Sequence, residues 1–549
     1  MSTPHSTPPP ADTPLRWYGD GFPATDPSGV YQALADLENP CFVVATPAGP
    51  GAVSGGAAAP GGHGPGVLAA AAPLPPHRLG SAAFTAAHGV RLPYMAGAMA
   101  GGIASADLVV AMARENLLAS FGAAGLLPSV VEDSLRRFER EIPGRPYAIN
   151  VIHSPSEDRL ERETVELALR HGVRCVEASA YMDLTPHIVR YRLAGLRRGP
   201  DGRVITGNRL IAKVSRPETA TRFMRPAPAA TVAVLLEQGL ITAEQASLAH
   251  HVPLADDITV EADSGGHTDR RPLPALFPVL ARLRDAVQRE HRYQAPIRLG
   301  AAGGLGTPAS LAAAFAMGAD YVVTGSVNQS CLEAGTSPQV RAMLAEAGIA
   351  DCEMAPAADM FEMGVDLQVL KKGTLFPMRA RRLYQLYQAY DGLEALPAEE
   401  RERLEKQIFR RPLEEVWADC VTYFTRRDPE QLTRAADNPR RRMALVFRWY
   451  LGMASRWAVT GDGGRTADYQ IWCGPAMGSF NDWVTGSYLK NPSNRRVADV
   501  AHHLMRGAAF HTRLAQLRLA GVRVPAGAVG YLPVPQEGPL PLAPTAGAS

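Results

Sequence analysis

Ile297-Arg-Leu-Gly-Ala-Ala-Gly-Gly-Leu-Gly306 and Tyr321-Val-Val-Thr-Gly-Ser326 each run a short apolar segment into a glycine turn. The stretch between them, Thr307-Pro-Ala-Ser-Leu-Ala-Ala-Ala-Phe-Ala-Met317, carries the marks of a helix. Thr307 can cap it, Pro308 suits its first turn, and Leu311 and Phe315 share a face. This strand–helix–strand unit is one of a series. Over residues 90–330, short apolar runs alternate with amphipathic stretches of helical length. The strand candidates are Tyr94–Ala98, Ala119–Phe121, Tyr147–Ile152, Cys175–Ala178, Leu210–Val214, Ile258–Ala262, Ile297–Leu299 and Tyr321–Thr324. Eight strand–helix units in roughly 240 residues is the arithmetic of a (β/α)8 TIM barrel. A doubly wound sheet is the alternative, because strand order is not written in the sequence. The glycines favour the barrel. Gly303, Gly304 and Gly306 follow the seventh strand and Gly325-Ser326 the eighth, the two loops where such barrels hold phosphate on backbone N–H groups and a helix start. Either cluster alone also reads as a plain turn.

One strand earlier, Asp257-Ile-Thr-Val-Glu261 runs into Ala-Asp-Ser-Gly-Gly-His267. Gly265 and Gly266 leave the backbone open to a flat, phosphorylated ligand, and His267 is aimed at a site at the strand's end. Taken alone, this is a glycine turn followed by a surface histidine. An imidazole titrates near working pH, so it suits proton donation next to a carbonyl as well as proton abstraction from an acidic carbon. Asn150, at the end of the third strand, suits the pyrimidine edge of a flavin, or a strand-end backbone. Lys213 interrupts the apolar run Leu210-Ile-Ala-Lys-Val-Ser215 and needs a partner inside a barrel. That partner is either the negative charge of a reduced flavin or an internal acid, with Glu177 the first candidate. A phosphate cradle with no GxGxxG dinucleotide fingerprint and no GxxxxGK[ST] loop points to FMN or a sugar phosphate, and away from an ATPase. Ser156-Glu-Asp reads as a helix start with acids at its positive end. The long connection Arg216–Asp256, with helices expected at Thr231–Gln238 and Thr242–His250, reads as cover for the catalytic face.

The totals set the frame. The chain has 549 residues, 46% hydrophobic and 20% charged, which is enough for two units or one decorated fold. A net charge of +2 without a long basic run gives no expectation of nucleic-acid binding, and no stretch of 18 apolar residues predicts a membrane span. The six cysteines lack CxxC or zinc spacing, so no metal site is expected, and they read as reduced thiols of a cytoplasmic protein. Cys331 reads as a small buried side chain. Arg379, Arg381, Arg382 and Arg440–Arg442 read as solvated helix faces, or else as a surface for an acidic protein or a phosphopantetheine arm.

Longer strings then carry a resemblance. Pro93-Tyr-Met-Ala-Gly-Ala-Met-Ala100, Asn150, Lys213, Ser264-Gly-Gly-His267, Ala302-Gly-Gly304 and Thr324-Gly-Ser326 resemble the flavin-dependent nitronate monooxygenase and enoyl reductase barrels. Met363-Gly-Val-Asp-Leu-Gln-Val-Leu-Lys-Lys-Gly-Thr-Leu-Phe-Pro-Met-Arg379, Ile471-Trp-Cys-Gly-Pro-Ala-Met-Gly-Ser-Phe-Asn-Asp-Trp483, Ile205–Lys213 and Leu240–Ala246 resemble the PfaD subfamily, trans-acting enoyl reductases of polyunsaturated fatty acid and polyketide synthases. The resemblance implies FMN, with Gly97 and Met99 near its ring, Asn150, Lys213, Gly265 and Gly266 around it, and Gly303, Gly304, Gly325 and Ser326 at its phosphate. It implies His267 as catalytic residue with Lys213 beside it, NADPH as reductant, and an enoyl thioester on an acyl carrier protein as substrate. The roles of Glu261 and Asp263 stay open, as do NADPH against NADH, acyl chain length and a homodimer. A nitronate monooxygenase and a non-catalytic carrier-docking protein are the alternatives.

The expected organisation is a disordered 1–16, a small α/β segment 17–46 and a flexible Gly/Ala/Pro insertion 47–76 unusual for the family. An FMN-binding barrel over 77–335, with the insertion 216–256, follows. A mainly helical lid over 336–524 and a disordered tail 525–549 complete it.

Overall fold

All eight segments read as strands form, and they close. In the computed structural model, which describes residues 14–61, 63–153 and 158–535, the barrel strands are Tyr94–Ala96 (β1), Leu118–Phe121 (β2), Ala148–Ile152 (β3), Cys175–Ser179 (β4), Arg209–Val214 (β5), Asp257–Glu261 (β6), Arg298–Ala302 (β7) and Tyr321–Thr324 (β8). They hydrogen-bond in sequence order around a closed circle, which excludes the doubly wound sheet. The register sets Asn150 beside Glu177, Ile211 beside Glu177, Lys213 beside Thr259 and Asp257 beside Arg298. Asp257 and Arg298, both buried, meet in a two-pronged ion pair at 2.5 and 2.8 Å. Asp257 and Arg298 are tolerated there because each is the other's charged partner one strand away.

The helix after β7 starts as its sequence dictates. Thr307 caps Pro308–Ala316, and Ser310 bonds back in a capping box. The helix Asp158–Arg170 forms too, while the start read at Ser156 lies outside the described residues. The connection 216–256 departs from expectation. Its first helix, Pro217–Met224, packs beside β5 and carries the chain away from the glycine turns before the extra helices Ala229–Glu237 and Ala243–Leu248 begin. Those two pack on the helix Pro186–Ala194 and the hairpin that precedes β5, where Gln245 Nε2 donates to the Ala194 carbonyl and Arg198 N–H to Glu244. They therefore lie at the end where the strands start, not over the catalytic face.

The described residues pack as two compact units, one within Met1–Tyr94, Thr307–Tyr321 and Asp499–Ser549, the other within Met95–Gly306 and Val322–Ala498. In the first, the stretch 47–76, expected to be flexible, is sheet. Cys41–Thr46 pairs antiparallel with Gly49–Ser54 and Val67–Ala71, and Leu15–Tyr18 pairs with Ala57–Pro60. Glycines and alanines suffice because the backbone supplies the hydrogen bonds. Gly55 and Gly56 take the positive-φ turn, and Trp17 fills the centre with Phe42, Val44 and Val53 while its indole N–H bonds to the Gly55 carbonyl. The boundary at 16 is likewise corrected, since Leu15 and Arg16 already belong to a strand; residues 1–13 lie outside the described residues. Part of the expected tail is placed as well. Tyr531 is buried, and its hydroxyl bonds to His503; residues 536–549 lie outside the described residues.

The helical region is not one block over 336–524. The described helix Val497–Leu519 falls, from Asp499 on, in the unit of the N-terminal sheet, where the buried Arg513 guanidinium donates to the carbonyls of Leu34, Asp36, Leu37, Asn39 and Ala72. The part that stays with the barrel contains strands as well as helices. Cys352–Pro356 and Asp366–Leu370 join Gly266–His267 in a three-stranded antiparallel sheet, and the helices Phe376–Ala389, Leu413–Arg427 and Pro439–Thr460 pack behind it around Phe361, Phe376, Phe409, Phe447 and Tyr450. Among the described residues no helix is long and apolar enough to cross a membrane.

Candidate active site

The site is built on the turns after β6, β7 and β8. Gly265 is there for packing: a Cβ on it would lie 2.8 to 3.0 Å from the Cys473 backbone. Gly266 and His267 then pair with Gln368 and Leu367, so the histidine stands on a strand edge and not on a free loop. Two further bonds hold the turn. Gln368 Nε2 donates to Asp263 Oδ1 at 2.9 Å and to the Ser264 carbonyl at 2.8 Å. Asp263, whose role was open, is thus a tether between the turn and the second sheet.

His267 is partly exposed and meets Asp359, Nε2 to Oδ1 at 3.2 Å. Burial alone would lower its pKa. The hydrogen bond and charge of Asp359, with the charge of Glu261 adding and that of Lys213 opposing, hold it above the ordinary value. Lys213 Nζ lies 3.1 Å from Glu261 Oε1, and Ser264 Oγ donates to the same oxygen at 3.2 Å. Burial pulls the lysine down, but the charges of Glu261 and Glu177 leave it raised and therefore cationic. Glu261, the other open residue, is its ion-pair partner, where Glu177 was the first candidate. Glu177 is fully buried. Its Oε2 accepts from Ala98 N–H at 3.0 Å, and its Oε1 has no partner among the described residues. On the far side of Glu177, the buried Asn150 donates to Ser179 Oγ at 3.1 Å, which leaves its Oδ1 without a hydrogen bond among the described residues. The structural alternative for Asn150 was a strand-end backbone; the partner is instead a side chain.

The glycines divide into two kinds. A Cβ on Gly303 would stand 2.5 Å from the Ala262 carbonyl carbon and one on Gly97 would stand 2.7 Å from Val323, so both exist to let strand ends approach each other. Gly304, at φ +70°, and Gly325 face open space. The backbone N–H groups of Gly303, Gly304, Gly325 and Ser326 donate to no other group among the described residues, and Ser326 Oγ, accepting from Gly474 N–H at 3.1 Å, keeps its own proton to give. Unsatisfied N–H groups beside bare glycines are a donor set that fits a phosphate. Met99 is half-buried, with its carbonyl accepting from Ala104 N–H in a turn.

The segment around Trp472 and Cys473 closes this side. Leu370 N–H bonds to the Ile471 carbonyl, Cys473 N–H to the Gln368 carbonyl, and Gly306 packs against the Ala476 carbonyl. Most of the arginines expected on solvated faces do stand at the surface, each beside an acid, and Arg379 alone of them meets a fully buried one. Arg379 meets the buried Asp468, Arg381 meets Glu353, Arg382 meets Glu400, Arg440 meets Asp391, Arg441 meets Glu362, and Arg442 meets Glu394. Cys331 is buried, with its thiol against the Val327 carbonyl.

Comparison with known proteins agrees with this architecture. The family model of nitronate monooxygenase matches residues 82–381, and that of the PfaD N-terminal domain of fatty acid synthases matches 17–73. The second match takes in the Gly/Ala-rich stretch, which is therefore part of the family pattern. The inserted helical domain of acyl-carrier-protein S-malonyltransferase matches 390–469. A polyunsaturated fatty acid synthase polypeptide of Thraustochytrium sp. is 50% identical over 447 residues, 80% of this chain and 30% of that protein. Polyketide biosynthesis protein PksE of Bacillus subtilis is 43% identical over 439 residues, 79% of this chain and 57% of that protein. This chain thus spans less than two thirds of either relative. Among solved structures, the enoyl reductase domain of MlnA from the macrolactin cluster of Bacillus amyloliquefaciens is 38% identical with a TM-score of 0.77, covering 81% of this chain and 100% of that one. With the barrel, the histidine turn and the N-terminal sheet each matched, the chain belongs to the nitronate monooxygenase family, in its PfaD branch.

Proposed function

We propose that this chain is an FMN-dependent enoyl reductase that uses NADPH to saturate the 2,3-double bond of enoyl thioesters on acyl carrier protein, acting in trans within a polyunsaturated fatty acid or polyketide synthase. The observation that carries the reading is the pairing of a cationic lysine and a raised-pKa histidine on the same rim as the unsatisfied N–H groups of Gly304 and Gly325. The likeness to the MlnA enoyl reductase domain supports the same chemistry.

FMN, when bound, would supply a hydride donor that NADPH recharges. The chain's own residues would do the rest. The N–H groups of Gly303, Gly304, Gly325 and Ser326, with the Ser326 hydroxyl, would hold the phosphate. Gly97, Met99, Gly265 and Gly266 would line the approach to the ring, and Asn150 would offer its Oδ1 to a ring N–H. Lys213 would keep positive charge beside the ring, oriented by Glu261 and balanced against Glu177. His267 would give a proton to the carbon next to the thioester carbonyl. A pKa held above the ordinary value suits that role, since the imidazole must be charged to donate.

The test is an anaerobic assay in two steps. NADPH should bleach the flavin absorbance of the purified protein, and crotonyl-carrier protein should restore it. Bleaching without recovery, together with oxygen uptake on propionate 3-nitronate, would replace the reading with a nitronate oxidation. A colourless protein that stays colourless with added FMN, yet co-purifies with carrier protein, would make it a docking protein without catalysis.

A further inference from the structure

We propose that Asp359 is the positioning residue of His267, holding its Nε2–H so that Nδ1 is the nitrogen that exchanges the proton with substrate. The inference rests on the enoyl-reductase reading for the identity of the step, but its geometry stands by itself. Asp359 comes from the link between the strands Cys352–Pro356 and Asp366–Leu370, the second of which pairs directly with His267. The acid and the imidazole are therefore carried by one sheet, with a contact of 3.2 Å between them. A carboxylate accepts only, so Nε2 must be the protonated nitrogen of the neutral ring, and the proton that comes and goes sits on Nδ1.

The charged groups acting on His267 are Asp359 at the ring, Glu261 at the end of β6 and Lys213 on β5, and Arg448 in turn acts on Asp359. Of these, Asp359 alone bonds the imidazole, which separates its role from a diffuse charge effect. In the proposed step hydride reaches the β carbon, the α carbon takes H+ from Nδ1, and the ring returns to the neutral form with its remaining proton on Nε2 facing Asp359. Water then reprotonates Nδ1. Below the raised pKa the acid form is present, and the step slows as pH rises through it.

The experiment compares the wild-type holoenzyme with Asp359→Asn and Asp359→Glu. NADPH reduction of the flavin and reoxidation by crotonyl-carrier protein are measured separately across pH. Flavin reduction should be unchanged. Reoxidation by Asp359→Asn should fall in kcat by about tenfold at neutral pH, less than the roughly hundredfold or more that loss of the general acid itself would cost, with KM little altered. Its alkaline limb should move to lower pH, and Asp359→Glu should recover part of the rate. In parallel, the pH dependence of diethyl pyrocarbonate labelling at His267, read by peptide mass spectrometry on flavin-free protein, should show a lower midpoint in Asp359→Asn. An unmoved labelling midpoint, or an unmoved alkaline limb in an active enzyme, would overturn the role of Asp359. Wild-type enzyme that never reoxidises with the enoyl thioester would instead remove the reductase reading, and the labelling result would then decide the histidine–aspartate contact by itself.

Discussion

Replacing Lys213 by alanine tests whether this lysine is structural, functional or both. Its Nζ stands 3.1 Å from Glu261, with each side chain about one-fifth exposed (20% and 18%). Opposite charges at that distance attract by about 5 kcal/mol at an effective dielectric of about 20, and the cost of desolvating both groups reduces the net. Removing one partner of such a pair costs about 3 to 5 kcal/mol, because the other charge is left without compensation. The exposure argues for the lower end, so Lys213→Ala should lose about 3 kcal/mol in urea denaturation at neutral pH. Glu177, whose Oε1 has no hydrogen-bond partner among the described residues, would then have lost the cationic influence of Lys213 as well. The double variant Lys213→Ala/Glu261→Gln should regain part of the stability, since one of the two stranded carboxylates is gone while Glu177 remains. FMN affinity and turnover should stay low in the double variant, because neither amide nor methyl replaces the positive charge beside the flavin. A single variant that loses under about 1 kcal/mol, or a double variant that recovers turnover along with stability, would refute the reasoning.

Other perturbations probe separate parts of the chain. Arg513→Ala should destabilise the unit containing the N-terminal sheet by about 3 kcal/mol or more, read by proteolysis of the 14–71 region, because the carbonyls of Leu34, Asp36, Leu37, Asn39 and Ala72 lose their common donor. Gly265→Ala should lower thermal stability and activity together, since its Cβ would strike the Cys473 backbone, whereas Gly325→Ala should fold normally and weaken FMN binding, since its Cβ enters open space. Asp269, bonded to Arg216 and Ser215, has a carboxyl held down to about 2, chiefly by the Arg216 hydrogen bond. Its stabilisation is complete above the ordinary carboxylate pKa and is lost as pH falls toward 2, so Asp269→Asn should flatten the acid limb of an unfolding-versus-pH curve in that window.

How far the residues could be read in advance depended on the range of the forces involved. Thr307 and Pro308 announce their helix because a cap and a first-turn proline act within one turn. The strand at Arg209–Val214 could be read despite Lys213, since the apolar residues on either side of it establish the run. By contrast, the stretch 47–76 looked unstructured because alanine and glycine carry no side-chain pattern, and the strands there are held by backbone pairing to Cys41–Thr46 and by Trp17. Arg381, Arg382 and Arg440 are solvent-exposed as read, whereas Arg379 and Arg441 are drawn inward by acids that lie elsewhere in the chain, Asp468 and Glu362.

Local chemistry, the order of apolar runs, and the glycines at the ends of the seventh and eighth strands were enough to favour a barrel over a doubly wound sheet and to mark His267, Lys213 and Asn150 as candidate side chains at its mouth; closure in strand order was decided by the tertiary structure. The partners of those residues were not legible. Asp359 sits 92 positions from His267 in a link with no periodicity of its own, and it reaches the imidazole only because Asp366–Leu370 pairs with the histidine turn. The choice of Glu261 over Glu177 for Lys213 follows from strand register and from the pull of the Ala98 N–H on Glu177. The helices of 216–256 lie at the far end of the barrel because Pro217–Met224 carries the chain there first. A hydrogen bond, an ion pair and the path of a helix all depend on which distant backbone comes within about 3 Å, and that is settled by the packing of the whole chain.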